Sequence, residues 1–121
     1  MARVIHFDLM SEQPDRLAEF CIKAFGWNMV KWDGPMEYWL AGTGDRSKPG
    51  IDGGIGRGTP VDQVVLTLDA SDLDAAIARA VAAGATVAQP RGPIPGVGWY
   101  AAVRAPDGNR FGLMQDDPAA R

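Results

Sequence analysis

Two similar successions of secondary structure are predicted in this chain, one in each half. An alternating pattern at residues 3–9 is followed by a helical pattern that ends at Gly26 and then by three short strand patterns. The second half repeats this order, and its helical pattern ends at Gly84, which is 58 residues after position 26. The 121 residues are therefore predicted to form one domain built from a duplicated β-α-β-β-β unit.

The first strand, within "RVIHFDL", separates apolar from polar side chains. With a period of two, Ile5, Phe7 and Leu9 share one face, while His6 and Asp8 fall on the other. His6 is the only histidine of the chain. The apolar face is expected to pack on a helix, and the other face is the first candidate for chemistry.

The rest of the first unit, about residues 3–58, has one helix and three strands. Ser11 is expected to cap the helix and Pro14 to lie in its first turn. The inward positions at helical spacing are Leu17, Phe20, Cys21 and Ala24. "WNMVKWD" and "MEYWLAG" predict an aromatic-rich hairpin, "GTGDRSKPG" a loop, and "IDGGIG" a short strand.

The second unit, about residues 61–116, follows the same order. "DQVVLTLDA" predicts a strand, "ATVAQP" a second, "RGPIPGVG" a loop, and "WYAAVRAPDGNRFGLMQ" two strands around the turn "APDGN". The helix between the first two strands is expected to end at Gly84. Its inward positions are Leu73, Ala76, Ile77, Ala80 and Val81.

Composition excludes several classes of protein. Hydrophobic residues make up 46% and charged residues 22%, which is typical of a soluble globular domain. The net charge of −3 argues against nucleic-acid binding, which needs a basic surface. Cys21 is the only cysteine, so no internal disulfide or CxxC pair can form. No apolar stretch is long enough to span a membrane, and a cytoplasmic location is expected.

Several segments together resemble the vicinal oxygen chelate superfamily, which includes glyoxalase I, bleomycin-resistance proteins and extradiol dioxygenases. They are "IHFDL", "AEFCIKAFGW", "LTLDASDLDAAIARAVAAGATV" and "PDGNRFGLMQ". The resemblance implies an α+β fold in which two βαβββ units form an open eight-stranded mixed barrel with the helices outside. It also implies a small-molecule cleft inside the barrel and leaves open whether the units pair within a chain or between chains.

Metal-dependent members of this superfamily take one ligand from the first and last strand of each unit. Carried over by resemblance, these positions are His6, then Gly53 or Gly54, then Gln63, and finally Gly112. Glycine offers no side-chain donor, and a glutamine amide is a poor ligand for a transition metal. We therefore expect neither the usual metal site nor any other cofactor.

Strand parity predicts which side chains line the implied cleft. The predicted set consists of His6, Asp8, Gln63, Thr67, Tyr100, Arg110, Gly112 and Met114. The glycines either leave volume for a ligand or only allow the strands to curve. The aromatic residues Trp27, Trp32, Tyr38 and Trp39 are assigned mainly to the core or to an interface, with one or two of them as candidates for the cleft wall. The two glycine-rich loops are candidate covers for the cleft.

Two functions of different classes fit these residues. One is a metal-independent lyase or isomerase in which His6 transfers a proton while Tyr100 or Arg110 steadies an oxyanion or carboxylate. The alternative is a protein that binds an antibiotic-like compound without chemistry, and a metal-dependent glyoxalase or dioxygenase is a third hypothesis. His6 itself has a purely structural alternative, and Asp8 has the alternative of a charged residue at the rim of the cleft. In each case a small-molecule ligand and a homodimer are expected.

Overall fold

The structure is a computed structural model that describes residues 2–121, apart from the side chain of Pro60. Within this range the chain forms eight β-strands, two α-helices and one 3₁₀ helix, in the order predicted for a duplicated β-α-β-β-β unit. Two compact units result. The first unit is His6–Val65, and the second unit combines residues 2–5 with Leu66–Arg121.

The first unit is a four-stranded mixed sheet with one helix. Its elements are β1 Val4–Ser11, α1 Pro14–Phe25, β2 Asn28–Lys31, β3 Tyr38–Gly42 and β4 Gly53–Arg57. The strand order is β2-β3-β4-β1, with β4 antiparallel to β3 and parallel to β1. The predicted aromatic hairpin is confirmed as β2 and β3.

Backbone conformation, and not a side-chain cap, defines both ends of helix α1. Its N-cap is Gln13, whose side chain makes no capping bond, and Pro14 occupies the first turn. The prediction that Ser11 caps the helix is wrong, because Ser11 still belongs to β1 and its Oγ accepts a hydrogen bond from the Gln13 N–H at 3.0 Å. The predicted stop at Gly26 is confirmed: its φ is 71°, and its N–H donates to the Ile22 carbonyl.

The core of the first unit forms between α1 and the sheet. Ala18, Cys21 and Ile55 are buried at its centre. The side chains packed around them are Leu9, Leu17, Trp27, Met29 and Trp39. Burial raises the pKa of the Cys21 thiol, as expected for a packing residue. Phe20, predicted to face inward, is 55% exposed, because the buried face of α1 runs along positions 14, 18 and 21.

The second unit repeats this plan. Its elements are β5 Val64–Asp69, α2 Leu73–Ala82, β6 Thr86–Ile94, β7 Gly98–Arg104 and β8 Arg110–Asp116. The strand order is β5-β8-β7-β6, with β8 parallel to β5 and antiparallel to β7. The Asp72 carboxylate caps α2 by accepting from the Ala75 N–H at 3.1 Å.

In the second unit, α2 packs against β6, β7 and β8. The buried centre consists of Leu73, Ala101, Val103 and Leu113. Ala76, Ile77 and Ala80 pack against it as predicted, whereas Val81 is 47% exposed, so its predicted inward position is wrong. No helix within residues 2–121 has the length and apolar character that a membrane span requires.

Two predicted boundaries differ from the structure. Residues Pro60–Asp62 form the 3₁₀ helix and β5 starts only at Val64, so Gln63 precedes the strand that was predicted to contain it. The predicted loop "RGPIPGVG" is mostly strand, because β6 continues to Ile94 and only residues 95–97 form the turn. Pro93, which falsely indicated a loop, pairs with Trp99 of β7, and the register shifts of β6 lie before it, between Val87 and Gly92.

The left-handed conformation of Gly26 gives a test of how α1 ends. Gly26→Ala is expected to lower the free energy of unfolding by about 1 kcal/mol, because a Cβ is disfavoured at this φ even though no atom would crowd it. Urea denaturation followed by circular dichroism measures the change. Gly44→Ala is the matched control: its site is equally open and its φ is ordinary, so no loss of stability is expected there.

Candidate active site

A cluster of polar side chains lies on the sheet face of the first unit that is opposite α1. Leu9 and Ile55 pack against the helix, and the alternation along β1 places His6 and Asp8 on the other face, as predicted. The register pairs Asp8 with Gly54 of β4. The predicted placement of His6 and Asp8 on the face of β1 away from the helix is therefore confirmed.

The tyrosine hydroxyl of Tyr38 joins the two residues that the sequence singled out. Its Oη lies 2.6 Å from Nε2 of His6 and donates to Oδ1 of Asp8 at 2.5 Å. Nε2 of His6 is also 3.4 Å from the same carboxylate oxygen. The side chains of His6 and Asp8 are 33% and 18% exposed, so the imidazole remains open to solvent while the carboxylate is largely covered.

Gly54 creates the space that Tyr38 fills. In the β3–β4 register Leu40 lies opposite Gly54, and Tyr38 lies two residues before Leu40 on the same face. A Cβ at Gly54 would collide with the hydroxyl and the outer ring carbons of Tyr38. Glycine at this position is therefore required for the tyrosine to reach Asp8, and the volume over Gly54 is not available to a ligand.

A ring contact of Tyr38 and an ion pair of its neighbour Glu37 hold this part of the chain in position. The ring of Trp32 meets that of Tyr38 edge-on, with centroids 6.2 Å apart. The preceding residue, Glu37, forms a two-pronged ion pair with Arg57 at 2.7 and 3.0 Å, and this pairing lowers the pKa of Glu37. Arg57 also donates to the Glu12 carbonyl at 2.7 Å. The start of β3 is thus tied to β4 beside the cluster.

The second unit has a related arrangement without a titratable pair. Gly112 of β8 lies opposite Thr67 in β5, and a Cβ there would come within 2.6 Å of the Tyr100 hydroxyl and 2.7 Å of the Thr67 hydroxyl. Thr67 is 3% exposed, and its Oγ1 has no hydrogen-bond partner among the described residues. The space over Gly112 therefore holds two hydroxyl groups.

The strand registers define which residues of the two units correspond. Asp8 pairs with Gly54 in the first unit, and Thr67 pairs with Gly112 in the second. Counting back two residues along each first strand makes Val65 the counterpart of His6. The assignment of this position to Gln63 is wrong by two residues, because the 3₁₀ helix delays the start of β5.

The remaining predicted residues have other partners. The Gln63 carbonyl accepts from the Met10 N–H at 2.8 Å. Arg110 donates to Oε1 of Gln89 at 3.0 Å, and Met114 lies opposite Tyr100 in the β7–β8 register, as the predicted turn at Asp107 requires. A role for any of these side chains in ligand binding stays a prediction.

The loop "GTGDRSKPG" is held by its own hydrogen bonds. Asp45 accepts from the N–H and hydroxyl of Ser47, and Asp52 accepts from the Thr43 N–H. An open depression of about 230 Å³ lies along it, where Arg46 is 3.8 Å from Asp52. This loop as a cover for a ligand likewise stays a prediction.

The side chains do not fit the metal centre that the resemblance implies. Gly54, Gly112 and Val65 bring no donor atoms, and Tyr38 already occupies the space above Gly54. Within the described part of the chain, no group of three or more His, Cys, Asp or Glu side chains could surround a metal ion. The donors left at this position are one imidazole and one carboxylate, and both are bonded to Tyr38.

A comparison with family models matches residues 4–114 to the glyoxalase-like domain. The chain belongs to this family. It is thus a member of the vicinal oxygen chelate superfamily, as its sequence motifs indicated. No curated protein matches the chain significantly.

Solved structures with low sequence identity share the glyoxalase-like α+β fold. A glyoxalase/bleomycin resistance protein/dioxygenase superfamily member from Vibrio splendidus is 19% identical, with a TM-score of 0.67 over 97% of this chain and 100% of that one. A methylmalonyl-CoA epimerase variant from Streptomyces coelicolor, in complex with 2-nitronate-propionyl-CoA, is 17% identical, with a TM-score of 0.69 over 100% and 99%. A Mn(II)-bound glyoxalase from Novosphingobium aromaticivorans is 22% identical, with a TM-score of 0.63 over 98% of this chain and 39% of that one.

The close approach of Tyr38 to Gly54 predicts a strong coupling between them. Gly54→Ala alone is expected to lower the free energy of unfolding by about 2–3 kcal/mol, because its Cβ displaces the tyrosine. In a Tyr38→Ala background the same substitution should cost much less, since the obstacle is gone. Urea denaturation of the four proteins of this double-mutant cycle measures the coupling.

Gly42→Ala, in β3, is the control for that cycle. An added Cβ there would meet only Asn28, at 3.6 Å, so we expect a small cost that Tyr38→Ala does not change. If the cost of Gly54→Ala stays the same without Tyr38, the steric account of this pair is wrong.

Proposed function

We propose that this protein is a metal-independent enzyme of the lyase or isomerase type that moves a proton on a small molecule. The observation that carries the proposal is the hydrogen-bonded chain from His6 through Tyr38 to Asp8, with distances of 2.6 and 2.5 Å. A histidine is the side chain whose ordinary pKa best suits proton transfer near neutral pH. Its substrate would carry an acidic C–H bond next to a carbonyl group.

In such a reaction His6, Asp8 and Tyr38 would each have a different role. The exposed imidazole of His6 takes the proton from carbon and returns it, either to the other face or to a neighbouring atom. Asp8 stabilises the imidazolium that forms, since its carboxylate is 3.4 Å from Nε2. Tyr38 fixes the ring and bridges to the carboxylate. Tyr100 and Arg110 remain candidate positioning groups in the second unit.

Hydrogen exchange in D₂O tests this proposal without knowledge of the product. The protein is incubated with α-branched acyl thioesters, including CoA thioesters, and with α-hydroxy ketones, and the loss of the α-proton signal is followed by ¹H NMR. CoA thioesters belong in the set because of the similarity to the Streptomyces coelicolor epimerase. We expect enzyme-dependent exchange with at least one compound.

His6→Ala is expected to reduce that exchange rate about a hundredfold or more, which corresponds to about 3 kcal/mol in the barrier. Its melting temperature should change little, because His6 lies outside the buried cluster of the first unit. Glu19→Gln removes an exposed carboxylate of α1 that bonds only to Lys23, and it serves as the matched control with full activity. Equal exchange rates in wild type and His6→Ala would refute the catalytic role.

The alternative proposal is a binding protein for an antibiotic-like compound. It is favoured by the edge-on pair of Trp32 and Tyr38, which places aromatic surface beside the largely covered Asp8 carboxylate. A compound that raises the melting temperature but undergoes no exchange or turnover would support binding without chemistry. A homodimer and a cytoplasmic location stay predictions; exposed Phe20 and Phe25 are consistent with the former.

Metal analysis separates both proposals from the third hypothesis, a metal-dependent enzyme. Protein purified without added metal is expected to contain no stoichiometric Zn, Ni, Fe or Mn, because the ligand positions beyond His6 lack donors. EDTA should leave the melting temperature unchanged. One tightly bound metal ion per chain, measured by elemental analysis, would overturn the metal-independent proposal.

A further inference from the structure

We propose that Tyr38 and Asp8 hold the neutral His6 ring with its proton on Nε2, so that Nδ1 is the nitrogen that accepts a proton from a ligand. The identity of this tautomer follows from hydrogen bonding in the first unit alone. Its use in catalysis rests on the function proposed above. Tyr38 and Asp8 are then positioning residues that act through His6.

The single proton of the Tyr38 hydroxyl determines which nitrogen of His6 is protonated. Two oxygens only 2.5 Å apart need a proton between them, and the ionised Asp8 carboxylate can only accept. Tyr38 therefore donates its only hydroxyl proton in the hydrogen bond to Asp8. Towards His6, at 2.6 Å, the same oxygen must act as the acceptor, which requires a proton on Nε2. The carboxylate oxygen 3.4 Å from Nε2 favours the proton at the same place.

The opposite tautomer of His6, with the proton on Nδ1, requires an additional proton at Asp8. If Tyr38 donated to His6, the short contact with Asp8 would need a protonated carboxyl group as the donor. With Asp8 as the acceptor, the hydroxyl proton of Tyr38 alone accounts for the short contact and no additional proton is needed. The chain of donors therefore runs from His6 to Tyr38 to Asp8.

Nδ1 keeps its lone pair in this arrangement. Among residues 2–121 no hydrogen bond to Nδ1 of His6 is formed, while Nε2 is fully engaged. The neutral ring has one proton and one lone pair, so fixing the proton on Nε2 leaves the lone pair on Nδ1. When Nδ1 takes a proton, the positive charge that appears on the ring is already next to Asp8.

The chain is suited to a direct measurement, because His6 is its only histidine. Uniformly ¹⁵N-labelled protein at alkaline pH should give one imidazole spin system in long-range ¹H–¹⁵N correlation spectra. In the wild type we expect the Nε2–H form in excess of about tenfold, the order that one hydrogen bond supplies. Tyr38→Phe keeps the ring over Gly54 but removes the nearer acceptor and leaves only Asp8, 3.4 Å from Nε2, so this excess should fall several-fold.

Asp52→Asn is the control, since it removes a carboxylate of the same unit without touching His6 and should leave the spectrum unchanged. Circular dichroism verifies that each variant is folded, and the wild-type spectrum is informative by itself. A predominant Nδ1–H form in the wild type, or an identical tautomer ratio in Tyr38→Phe, would overturn the inference. Its failure is distinct from that of the proposed function, which depends on exchange activity and not on the tautomer.

Discussion

The close contact between Tyr38 and Gly54 is the interaction on which the candidate site depends. A hydroxyl can reach Asp8 only because β4 has no side chain at the position opposite it. The same contact brings the hydroxyl to His6, two residues earlier on β1. A glycine that looks like a missing metal ligand in the sequence is therefore the feature that allows a different polar network to form.

Strand parity and glycine stops made most of the fold predictable from sequence. The placement of Leu9 against the helix, the stop at Gly26 and the turn at Asp107 depend on local chemistry, and the structure agrees with each of them. Ile5, predicted to pack on the same face, is instead 40% exposed. The errors arose where tertiary contacts override local signals. The prolines of "RGPIPGVG" indicated a loop, yet residues 92–94 pair with β7 and only residues 95–97 form a turn.

Only two of the three residues of the candidate site could be predicted from the sequence. His6 and Asp8 could be placed on one face from a period of two, but residues two apart on a strand diverge, so no direct link between them was evident. The link is Tyr38, which is 30 positions after Asp8 and was grouped with aromatic core residues. The β3–β4 register was needed to find it, since only that register shows that Tyr38 lies diagonally across from Gly54.

Comparison of the two units indicates where chemistry can occur. Both have a tyrosine over a glycine of their last strand, Tyr38 over Gly54 and Tyr100 over Gly112. The first strands differ: His6 and Asp8 in one unit correspond to Val65 and Thr67 in the other. A valine and a buried threonine cannot exchange protons near neutral pH, so the second unit retains the packing of this arrangement without its titratable groups. The acid–base capacity of the duplicated arrangement is therefore confined to the first unit, where its three polar groups are already hydrogen-bonded to one another.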